Sequence, residues 1–535
     1  MKQYLIILKQ NWKIIFITSL ISVLSSAAMV FAGFSLSFFF TAYEQKTNRI
    51  NILIWTFALE LVIWLGAMGI YYISLLVKCS AKKRIKHNLR NMVGTKISLL
   101  NYQQLQEKDC GNLVSWLTND VDQIYEQSFE VLFSGIEALA TWIFSLGALF
   151  LLGTCIGVSA LLLLAVISIL PQLAEKLLKK ANAEHSNAME IAIERYKDTV
   201  MGSNIFLLSN LQKQLAKRIT NASQQAEESD YHFHCINTSV QILISTSSMI
   251  GQIILLFVSF YAAVLGSAVP GAVLAASNLS GAFFNGVGDF TQSFSKIKTS
   301  STLWDKFSCS DCSLKDKQSI KILSDIHFEN VSFSYKNCPV LVGIDYHFSS
   351  CGKYAIVGES GSGKSTLAKL LLGLLPDYSG NVHYNDLEQR QTYLASLYDQ
   401  IAYVDQNVYL FQDTLRFNIT LGENYSDEEI NSILAQCRLT EFVGSLPEGL
   451  DTVIFENGKN LSGGQRQRIA IARSLIRKVN WIILDEGTSA LDENNASEIE
   501  NSLITRKDLG VILITHHLRE SLKSKLTDVY KIIKQ

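Results

Sequence analysis

The chain contains an uncharged stretch, residues 138–173, that a small soluble core cannot accommodate. About 20 apolar residues in a helix cross the core of a bilayer, so this stretch is too long for one crossing. Gly153 and Gly157 interrupt it near its middle. We therefore predict two membrane-spanning helices joined by a tight turn on the outer side.

Four more apolar stretches precede residue 300, and each is long enough to cross a bilayer. They are residues 14–40, 50–77, 240–265 and 269–294. The composition agrees, because charged residues make up 18% of the chain against about 25% of a typical soluble domain. Six predicted spans and a mean hydropathy of +0.19 argue against a purely soluble enzyme. The net charge of −1 gives no reason to expect nucleic acid as a partner.

Basic residues flank these stretches on alternate sides. Lysines precede the first stretch, a basic cluster at residues 78–96 follows the second, and further lysines at 176–180 follow the fourth. Such residues favour the cytoplasmic side of a membrane. We therefore predict a multi-pass protein of the lipid bilayer with both termini in the cytoplasm. The richness in Lys, Ile and Asn is typical of a low-GC bacterium and predicts a bacterial inner or plasma membrane.

Two long polar loops, residues 78–130 and 173–239, connect the predicted spans on the cytoplasmic side. Both have helical periodicity, and each contains a short amphipathic piece near its middle, at 111–117 and at 202–208. These pieces belong either to helices that extend beyond the membrane or to a docking surface for a cytoplasmic domain. Periodicity alone leaves both interpretations open.

The composition changes after residue 294. A segment rich in Ser, Lys and Asp is followed by short apolar runs at 354–357, 481–484 and 511–514, which alternate with helical stretches. Continuous apolar runs of this length are typical of strands buried on both faces of a parallel sheet. We predict an α-helical transmembrane domain at 1–307, a linker at 308–324 and an α/β domain at 325–535.

The strongest chemical motif lies at residues 358–366, directly after a predicted strand. Its residues are Gly358, Glu359, Ser360, Gly361, Ser362, Gly363, Lys364, Ser365 and Thr366. The glycines let successive backbone N–H groups point at one anion, and the N-terminus of the following helix adds a positive dipole end. Lys364 would reach the β- and γ-phosphates of a nucleotide, and the Ser365 hydroxyl would ligate Mg²⁺. The alternative, a Gly/Ser-rich turn without a ligand, does not account for strand, helix and Gly-Lys-Ser together.

A second acidic motif lies about 120 residues further on, where Asp485 and Glu486 end a buried strand. Ligands of open α/β sheets bind at the carboxyl ends of the strands. Asp485 is therefore a candidate to hold Mg²⁺ through water, and Glu486 is a candidate to take a proton from an attacking water.

A third motif carries a resemblance to a known family. Leu461, Ser462, Gly463, Gly464 and Gln465 look like the signature of the ATP-binding cassette (ABC) superfamily. With six spans and one α/β domain, the chain resembles a half-size ABC exporter over essentially its whole length. The resemblance implies a P-loop NTPase fold of the ABC type, ATP and Mg²⁺ as cofactors, and hydrolysis coupled to transport.

The resemblance also implies that the pieces at 111–117 and 202–208 are coupling helices, and it implies roles for further residues. Tyr335 would stack on adenine, Gln406 would touch Mg²⁺ and the attacking water, and His516 would sense the γ-phosphate. Residues 489–492 would contact a second cassette, and Ser462, Gly463, Gly464 and Gln465 would face the ATP bound to that cassette. A second half-transporter is therefore the implied partner, and the sequence allows a homodimer or a heterodimer.

Export of an amphipathic substrate such as a peptide, drug or lipid is the function that we predict. A non-pumping membrane ATPase that gates or supports a partner protein, or an uptake variant of the same fold, is the alternative. Two carboxylates inside the predicted spans, Glu60 and Glu137, are expensive in a bilayer. They are either substrate contacts or hydrogen-bonded residues at helix interfaces, and the sequence leaves both open.

Overall fold

The chain forms two compact units that are described separately. The computed structural model describes residues 2–44, 49–107, 110–167, 169–299, 304, 317–336, 338–488, 493–516 and 518–533. We call Met1–Leu99 with Asp109–Cys309 the helical unit, and Leu100–Lys108 with Ser310–Gln535 the α/β unit. The domain limits that we predict at 307 and 324 stay predictions.

The helical unit consists of long helices and a few short ones. They are α1 (Lys2–Gln10), α2 (Trp12–Glu44), α3 (Arg49–Ser98), α5 (Cys110–Ser115), α6 (Val121–Ile124), α7 (Val131–Leu152), α8 (Thr154–Ile167), α9 (Ile169–Met201), α10 (Ser203–Leu208), α11 (Gln212–Val264) and α12 (Gly271–Thr299), and α4 (Tyr102–Glu107) lies between α3 and α5 in the chain. π-Helical turns at Trp116–Asp120 and Tyr125–Glu130 join α5, α6 and α7.

All six predicted spans are helical, with the second half of the 138–173 stretch divided between α8 and α9, and the fold prediction of a helical transmembrane domain is confirmed. Within the described part of the chain, four segments are long and apolar enough to cross a membrane: Trp12–Phe38, Ile54–Ser98, Cys110–Leu152 and Gln212–Val264. Gly153 separates α7 from α8, as its position in the uncharged stretch predicts.

Small residues let the membrane helices approach one another closely. On α2, the buried face carries Ser22, Ser26 and Ala32, whereas large apolar side chains such as Phe16 are exposed. Without a hydrophobic driving force in lipid, such small-residue contacts are what holds helices together. Gly286 of α12 shows such a close approach, because a Cβ there would lie 3.2 Å from the carbonyl oxygen of Ala138 on α7.

In the first long polar loop, residues 78–130, the separate short helix lies at a different place from the coupling helix that the resemblance implies at 111–117. The piece at 111–117 is not a separate short helix, because α5 continues through the π-helical turns into α7. A continuous buried stripe that includes Val121 and Phe129 explains why the helix does not break. The separate short helix is α4, which belongs to the α/β unit. Its start is capped by Asn101, whose Oδ1 accepts from the backbone N of Gln104 at 2.8 Å. In the second loop, α10 is a separate short helix at Ser203–Leu208.

The α/β unit contains two sheets. The strands are β1 (Ile326–Tyr335), β2 (Cys338–Phe348), β3 (Lys353–Gly358), β4 (Ser379–Tyr384), β5 (Leu387–Glu388), β6 (Ile401–Val404), β7 (Trp481–Asp485), β8 (Gly510–Thr515) and β9 (Asp528–Ile532). The antiparallel sheet has the order β2-β1-β4-β5, and the second sheet has the order β6-β7-β8-β3-β9. All strand pairs of the second sheet are parallel.

Helices cover both faces of the parallel sheet. They are α13 (Lys364–Leu371), α14 (Leu394–Tyr398), α15 (Leu415–Thr420), α16 (Asp427–Gln436), α17 (Thr440–Ser445), α18 (Gly463–Leu475), α19 (Glu493–Ile504) and α20 (Glu520–Lys523), with 3₁₀ turns at Gln389–Gln391, Gly449–Asp451 and Glu456–Gly458. Every residue of β7 is buried, as a parallel strand with both faces covered requires. The carboxyl ends of β3, β7 and β8 meet at one edge of the sheet, and the site lies there.

Candidate active site

The loop at residues 358–363 connects β3 to α13 and has a backbone that requires glycine. Gly361 and Gly363 have φ angles of +77° and +100°, in the left-handed region that residues with a Cβ avoid. At Gly358 a Cβ would lie 2.7 Å from the carbonyl oxygen of Ile532. The glycines thus let the loop curl tightly over the edge of the sheet.

The loop surrounds the ammonium group of Lys364. Its Nζ donates to the carbonyl oxygens of Gly358 at 2.9 Å and Glu359 at 2.8 Å. The Oγ of Ser362 is buried and has no hydrogen-bond partner within the described part of the chain. An ammonium, the first-turn N–H groups of α13 and an unpartnered hydroxyl together fit a phosphate group.

Two opposing effects act on the pKa of Lys364. Burial lowers the pKa of Lys364, and the negative charges of Glu486 and Asp485 act in the opposite direction. The cation is therefore held by neighbouring carboxylates in place of solvent. A phosphate group at this position would add a further stabilising negative charge.

Asp485, the last residue of β7, is 4% exposed. Its Oδ2 accepts a hydrogen bond from the Tyr403 hydroxyl at 3.0 Å. Burial raises the pKa of Asp485, and hydrogen bonds from Ser365 and Tyr403 oppose that rise. The contact between the Ser365 hydroxyl and this carboxylate brings together two hard oxygen donors, which suit Mg²⁺.

Glu486 lies at the centre of a connected group of side chains. Its Oε2 accepts from Gln406 Nε2 at 2.6 Å, and its Oε1 lies 2.6 Å from His516 Nε2. The other ring nitrogen of His516, Nδ1, lies 3.2 Å from Lys364 Nζ. A carboxylate that is joined in this way to Lys364, the lysine of the predicted phosphate loop, could take a proton from a water that attacks a bound phosphate.

The backbone of Glu486 is unusual. Its φ of +50° is disfavoured for a residue with a side chain. The conformation is held because its N–H donates to the carbonyl oxygen of Ile514 at 2.9 Å and its carbonyl oxygen accepts from Gln467 Nε2 at 3.4 Å.

The structure brings Ser365, Gln406, Asp485, Glu486 and His516 together beside Lys364. Thr366 is buried on α13. Tyr335 lies at the end of β1 and is exposed, with its ring 4.8 Å from that of Phe333. The proposed dimer-contacting loop at 489–492 lies outside the described residues.

The signature residues form the N-terminus of α18. Ser462 Oγ accepts from the backbone N of Gln465 at 3.2 Å, and Gln465 Oε1 accepts from the backbone N of Ser462 at 2.8 Å. Gly463 and Gly464 form the first turn of the helix. Among the hydrogen bonds and ion pairs of the described residues, none joins Ser462–Gln465 to the loop at 358–366. Within one copy, the signature and the phosphate loop are thus separate features.

Sequence reasoning missed Tyr403 and Gln467, both of which contact the acidic motif. Tyr403 lies on β6, three residues before Gln406, and is paired with Ile483 of β7. The signal that could have found it is its place near the end of a strand. That signal identifies Tyr403 only when β6 and β7 are known to be neighbours.

The model of the ABC transporter transmembrane region matches residues 12–287, and the ABC transporter model matches residues 341–489.

Curated relatives match over most of the chain. The ATP-dependent lipid A-core flippase of Photobacterium profundum is 28% identical over 471 residues, covering 86% of this chain and 80% of that protein. The flippase of the same name from Escherichia coli K12 is 28% identical over 441 residues, covering 80% and 74%. An ATP-dependent lipid A-core flippase 2 of Colwellia psychrerythraea is 42% identical over 211 residues, covering 39% and 36%.

A solved structure has the same fold. A bacterial Atm1-family ABC exporter with ATP bound superposes with a TM-score of 0.83 and covers 98% of this chain and 93% of that one. Its sequence identity is 18%, so the likeness concerns the fold.

Proposed function

Because the chain belongs to the ABC transporter family, we propose that the cluster around Glu486 hydrolyses ATP with Mg²⁺ to power export of an amphipathic molecule. The chain is an ATP-binding, multi-pass membrane transporter. The observation that carries the proposal is the connected path from Lys364 through His516 and Glu486 to Gln406. This path joins a phosphate cradle to a candidate general base.

We assign the roles from these contacts together with the family resemblance. The 358–363 loop and Lys364 bind the β- and γ-phosphates of ATP, and Tyr335 stacks on adenine. Ser365 and Asp485 hold Mg²⁺, with Gln406 beside them, and the metal supplies positive charge that stabilises the transferring phosphoryl group. Glu486 takes the proton of the attacking water, and His516 holds the orientation of Glu486.

The function is tested in vesicles that contain the full chain. Candidate amphiphiles are a lipopolysaccharide, a phospholipid and a cationic amphipathic peptide or drug, and ATP hydrolysis and substrate movement are measured with each. An exporter is stimulated by its substrate and moves it. Stimulation by an added partner protein and by none of the amphiphiles would identify the alternative, a non-pumping ATPase.

The charges inside the spans bear on the substrate class. Glu137 forms an ion pair with Lys78, and Glu60 accepts hydrogen bonds from Ser35 at 2.9 Å and from Trp64 at 3.0 Å. These contacts favour the interpretation of both carboxylates as interface residues, so a cationic substrate gains no support from them. We propose a lipid-like substrate, because the curated relatives are lipid A-core flippases.

The transporter acts as a dimer in this proposal, with a second copy as the partner. In one copy the signature at the N-terminus of α18 has no described bond to the phosphate loop, so a second copy would complete the ATP site. Each proposed ATP-site position in this chain has the residue type that the resemblance requires. Binding of cytoplasmic ATP, together with the basic residues beside the spans, supports an arrangement with both termini in the cytoplasm of a bacterial cell.

An exposed apolar surface on α10 supports the same dimer. Ile205, Leu207 and Leu208 are exposed, and Leu208 is 87% exposed. Exposed apolar side chains on a short helix at the end of long helices suit contact with another protein surface. We propose that the α/β unit of the second copy covers α10 and transmits its closure to the spans.

Replacing Leu208 by Asp is expected to uncouple transport from hydrolysis. The substitution costs little within one copy, because the side chain is exposed there, but it buries a charge in the proposed contact. We expect substrate movement to fall about tenfold while basal hydrolysis stays near the wild-type rate. Ser209→Asp, which adds the same charge at a neighbouring polar position, is the control. Normal transport by Leu208→Asp would contradict the docking role of α10.

Replacing Tyr403 by Phe tests the metal site through its pH dependence. The Tyr403 hydroxyl helps to keep the pKa of Asp485 down against the effect of burial. Without it the pKa of Asp485 rises, so the ionised form that binds Mg²⁺ is lost at a higher pH. We expect the acid limb of the pH–rate profile to move to higher pH.

The Mg²⁺ concentration for half-maximal hydrolysis should rise about tenfold in the same variant. Tyr409→Phe, which changes an exposed tyrosine of the α/β unit, is the control. An unchanged acid limb and an unchanged Mg²⁺ requirement in Tyr403→Phe would exclude Asp485 as a metal-holding residue tuned by Tyr403.

A further inference from the structure

A buried carboxylate, Glu500 on α19, lies behind the proposed catalytic cluster. Its side chain is 10% exposed. The Thr488 hydroxyl donates to Oε1 at 2.5 Å, and the Arg519 guanidinium donates to Oε2 in an ion pair. A buried carboxylate is stable only when its oxygens are bonded, and here both of them have a partner.

The partners of Glu500 come from the two segments that carry the proposed catalytic residues. Thr488 follows Glu486 by two residues, and Arg519 follows His516 by three. β7 and β8 are neighbouring parallel strands, so both segments leave the sheet at the same edge. Glu500 therefore links the segment that follows β7 to the segment that follows β8.

Two cross-links thus hold these segments together. The first is the direct contact of Glu486 with His516 at 2.6 Å, and the second is the bridge from Thr488 through Glu500 to Arg519. A cavity of about 240 Å³ lies beside both cross-links and is lined by residues of each of them. The cavity leaves space beside the two segments that follow β7 and β8. On that side, the two cross-links restrain the segments in place of packed side chains.

The strained backbone of Glu486 makes this restraint important. A φ of +50° persists in a residue with a side chain only when its surroundings hold it. The hydrogen bonds at Glu486 itself hold its own peptide groups, and the bridge at Thr488 holds the chain two residues further on. Release of that bridge would allow the segment to relax and the Glu486 carboxylate to move relative to a bound phosphate.

We infer that Arg519, acting through Glu500 and Thr488, is a positioning residue for ATP hydrolysis. It fixes Glu486 relative to His516 and so affects the chemical step, whereas the phosphate loop that binds ATP is held by other contacts. The inference rests on the proposed role of Glu486 as the general base. Arg519 itself does not touch ATP in this inference.

The test uses the full chain in vesicles and begins with Arg519→Met, which removes the charge and keeps much of the side-chain volume. A displacement of a catalytic group by about 1 Å can cost up to about 100-fold in rate, and we expect kcat to fall at least about tenfold. The KM for ATP and the affinity for a non-hydrolysed ATP analogue should stay within about twofold of wild type. Arg519→Lys, which keeps a charged donor, should retain most of the activity.

A matched control lies on the same helix. Glu498→Gln breaks the exposed ion pair between Glu498 and Arg438, whose atoms are 2.7 Å apart. It breaks an ion pair two residues from Glu500 without touching the bridge, so kcat should remain at the wild-type value.

Three results would overturn the inference. One is an unchanged kcat in folded Arg519→Met. Another is a parallel loss of kcat and ATP affinity that Arg519→Lys does not restore, which would indicate a general structural role. If Arg519→Met does not fold, Thr488→Val and Thr488→Ser are measured in its place, because they alter the bridge without leaving an unpaired charge. Loss of hydrolysis in Thr488→Val with recovery in Thr488→Ser supports the inference. Full hydrolysis by Thr488→Val overturns it.

Failure of the inference and failure of the proposed function are distinguishable. If Glu486→Gln still hydrolyses ATP at the wild-type rate, the proposed general base is wrong. If Glu486→Gln is inactive but Arg519→Met is fully active, only the positioning role of Arg519 is wrong.

Discussion

ATP hydrolysis is expected to fall by about 10²–10⁴-fold when Glu486 is replaced by Gln, because the substitution removes the proposed proton acceptor for the attacking water. The amide has nearly the same size and can still bond to Gln406, so the local geometry is kept. Lys364 and the glycine loop are untouched, and ATP binding should therefore persist. Phosphate release and equilibrium ATP binding are the two measurements.

The combination of lost hydrolysis and retained binding is what makes this result specific. A carboxylate that only stabilised the fold would affect both measurements together with thermal stability. Glu498→Gln, which changes an exposed carboxylate of the same unit, should hydrolyse ATP at the wild-type rate. Hydrolysis by Glu486→Gln at more than about a tenth of the wild-type rate would assign the proton transfer to another group.

The parts of the molecule that could be predicted from sequence are those that depend on neighbouring residues in the chain. The break between α7 and α8 is one case, because Gly153 interrupts an otherwise unbroken apolar stretch. The phosphate loop is another, since the conformations of Gly361 and Gly363 follow from residue type and from the helix that begins at Lys364. These features need no knowledge of the rest of the fold.

The form of the first long polar loop, residues 78–130, could not be obtained in this way. Amphipathic periodicity at 111–117 is equally typical of a short helix and of the beginning of a long one, and the structure has the latter. What distinguishes α4 is a local signal that periodicity ignores, the pair Asn101 and Gln104, which cap the helix start reciprocally. Capping residues would therefore have located the short helix better than the apolar pattern did.

The groups that support the proposed catalytic residues needed the tertiary structure. Tyr403 reaches Asp485 because β6 lies beside β7, and Glu500 reaches both Thr488 and Arg519 because α19 lies over the adjacent ends of β7 and β8. Their sequence separations follow no fixed spacing, so no local pattern could reveal them. The resemblance to a family supplied Gln406 and His516, but it did not supply these contacts, which depend on this chain's own residues.

The second large effect concerns the signature and requires two copies of the chain. Replacing Ser462 by Asp preserves an N-capping side chain on α18, since Asp is as good a cap as Ser. It also adds a negative charge where we propose that the γ-phosphate of ATP bound to the other copy lies. We expect hydrolysis to fall about 100-fold as the electrostatic stabilisation at that helix terminus is reversed.

The chain provides a matched control for this substitution. Ser426 caps α16 with the same reciprocal arrangement, in which Glu429 takes the place that Gln465 has in the signature. Ser426→Asp therefore makes the same chemical change at a helix N-terminus that has no proposed phosphate contact. Its hydrolysis rate should equal that of the wild type, and a comparable loss in both variants would point to a helix-capping effect.

Co-assembly of two inactive variants then tests whether the site is shared between copies. Lys364→Ala removes the phosphate-binding ammonium, and Ser462→Asp removes the signature, so each homodimer lacks both active sites. A mixed dimer, isolated with two different affinity tags, has one site with both elements intact and should regain about half of the wild-type rate.

A pairing of Lys364→Ala with Glu486→Gln should regain nothing. Both substitutions lie on the phosphate-loop side of a site, so every site in that mixed dimer is defective. Recovery in the first pairing and not in the second requires that the loop of one copy works with the signature of the other. Equal inactivity of both mixed dimers would mean that this chain does not form its ATP site with a second copy of itself, and a different half-transporter would then have to supply the signature.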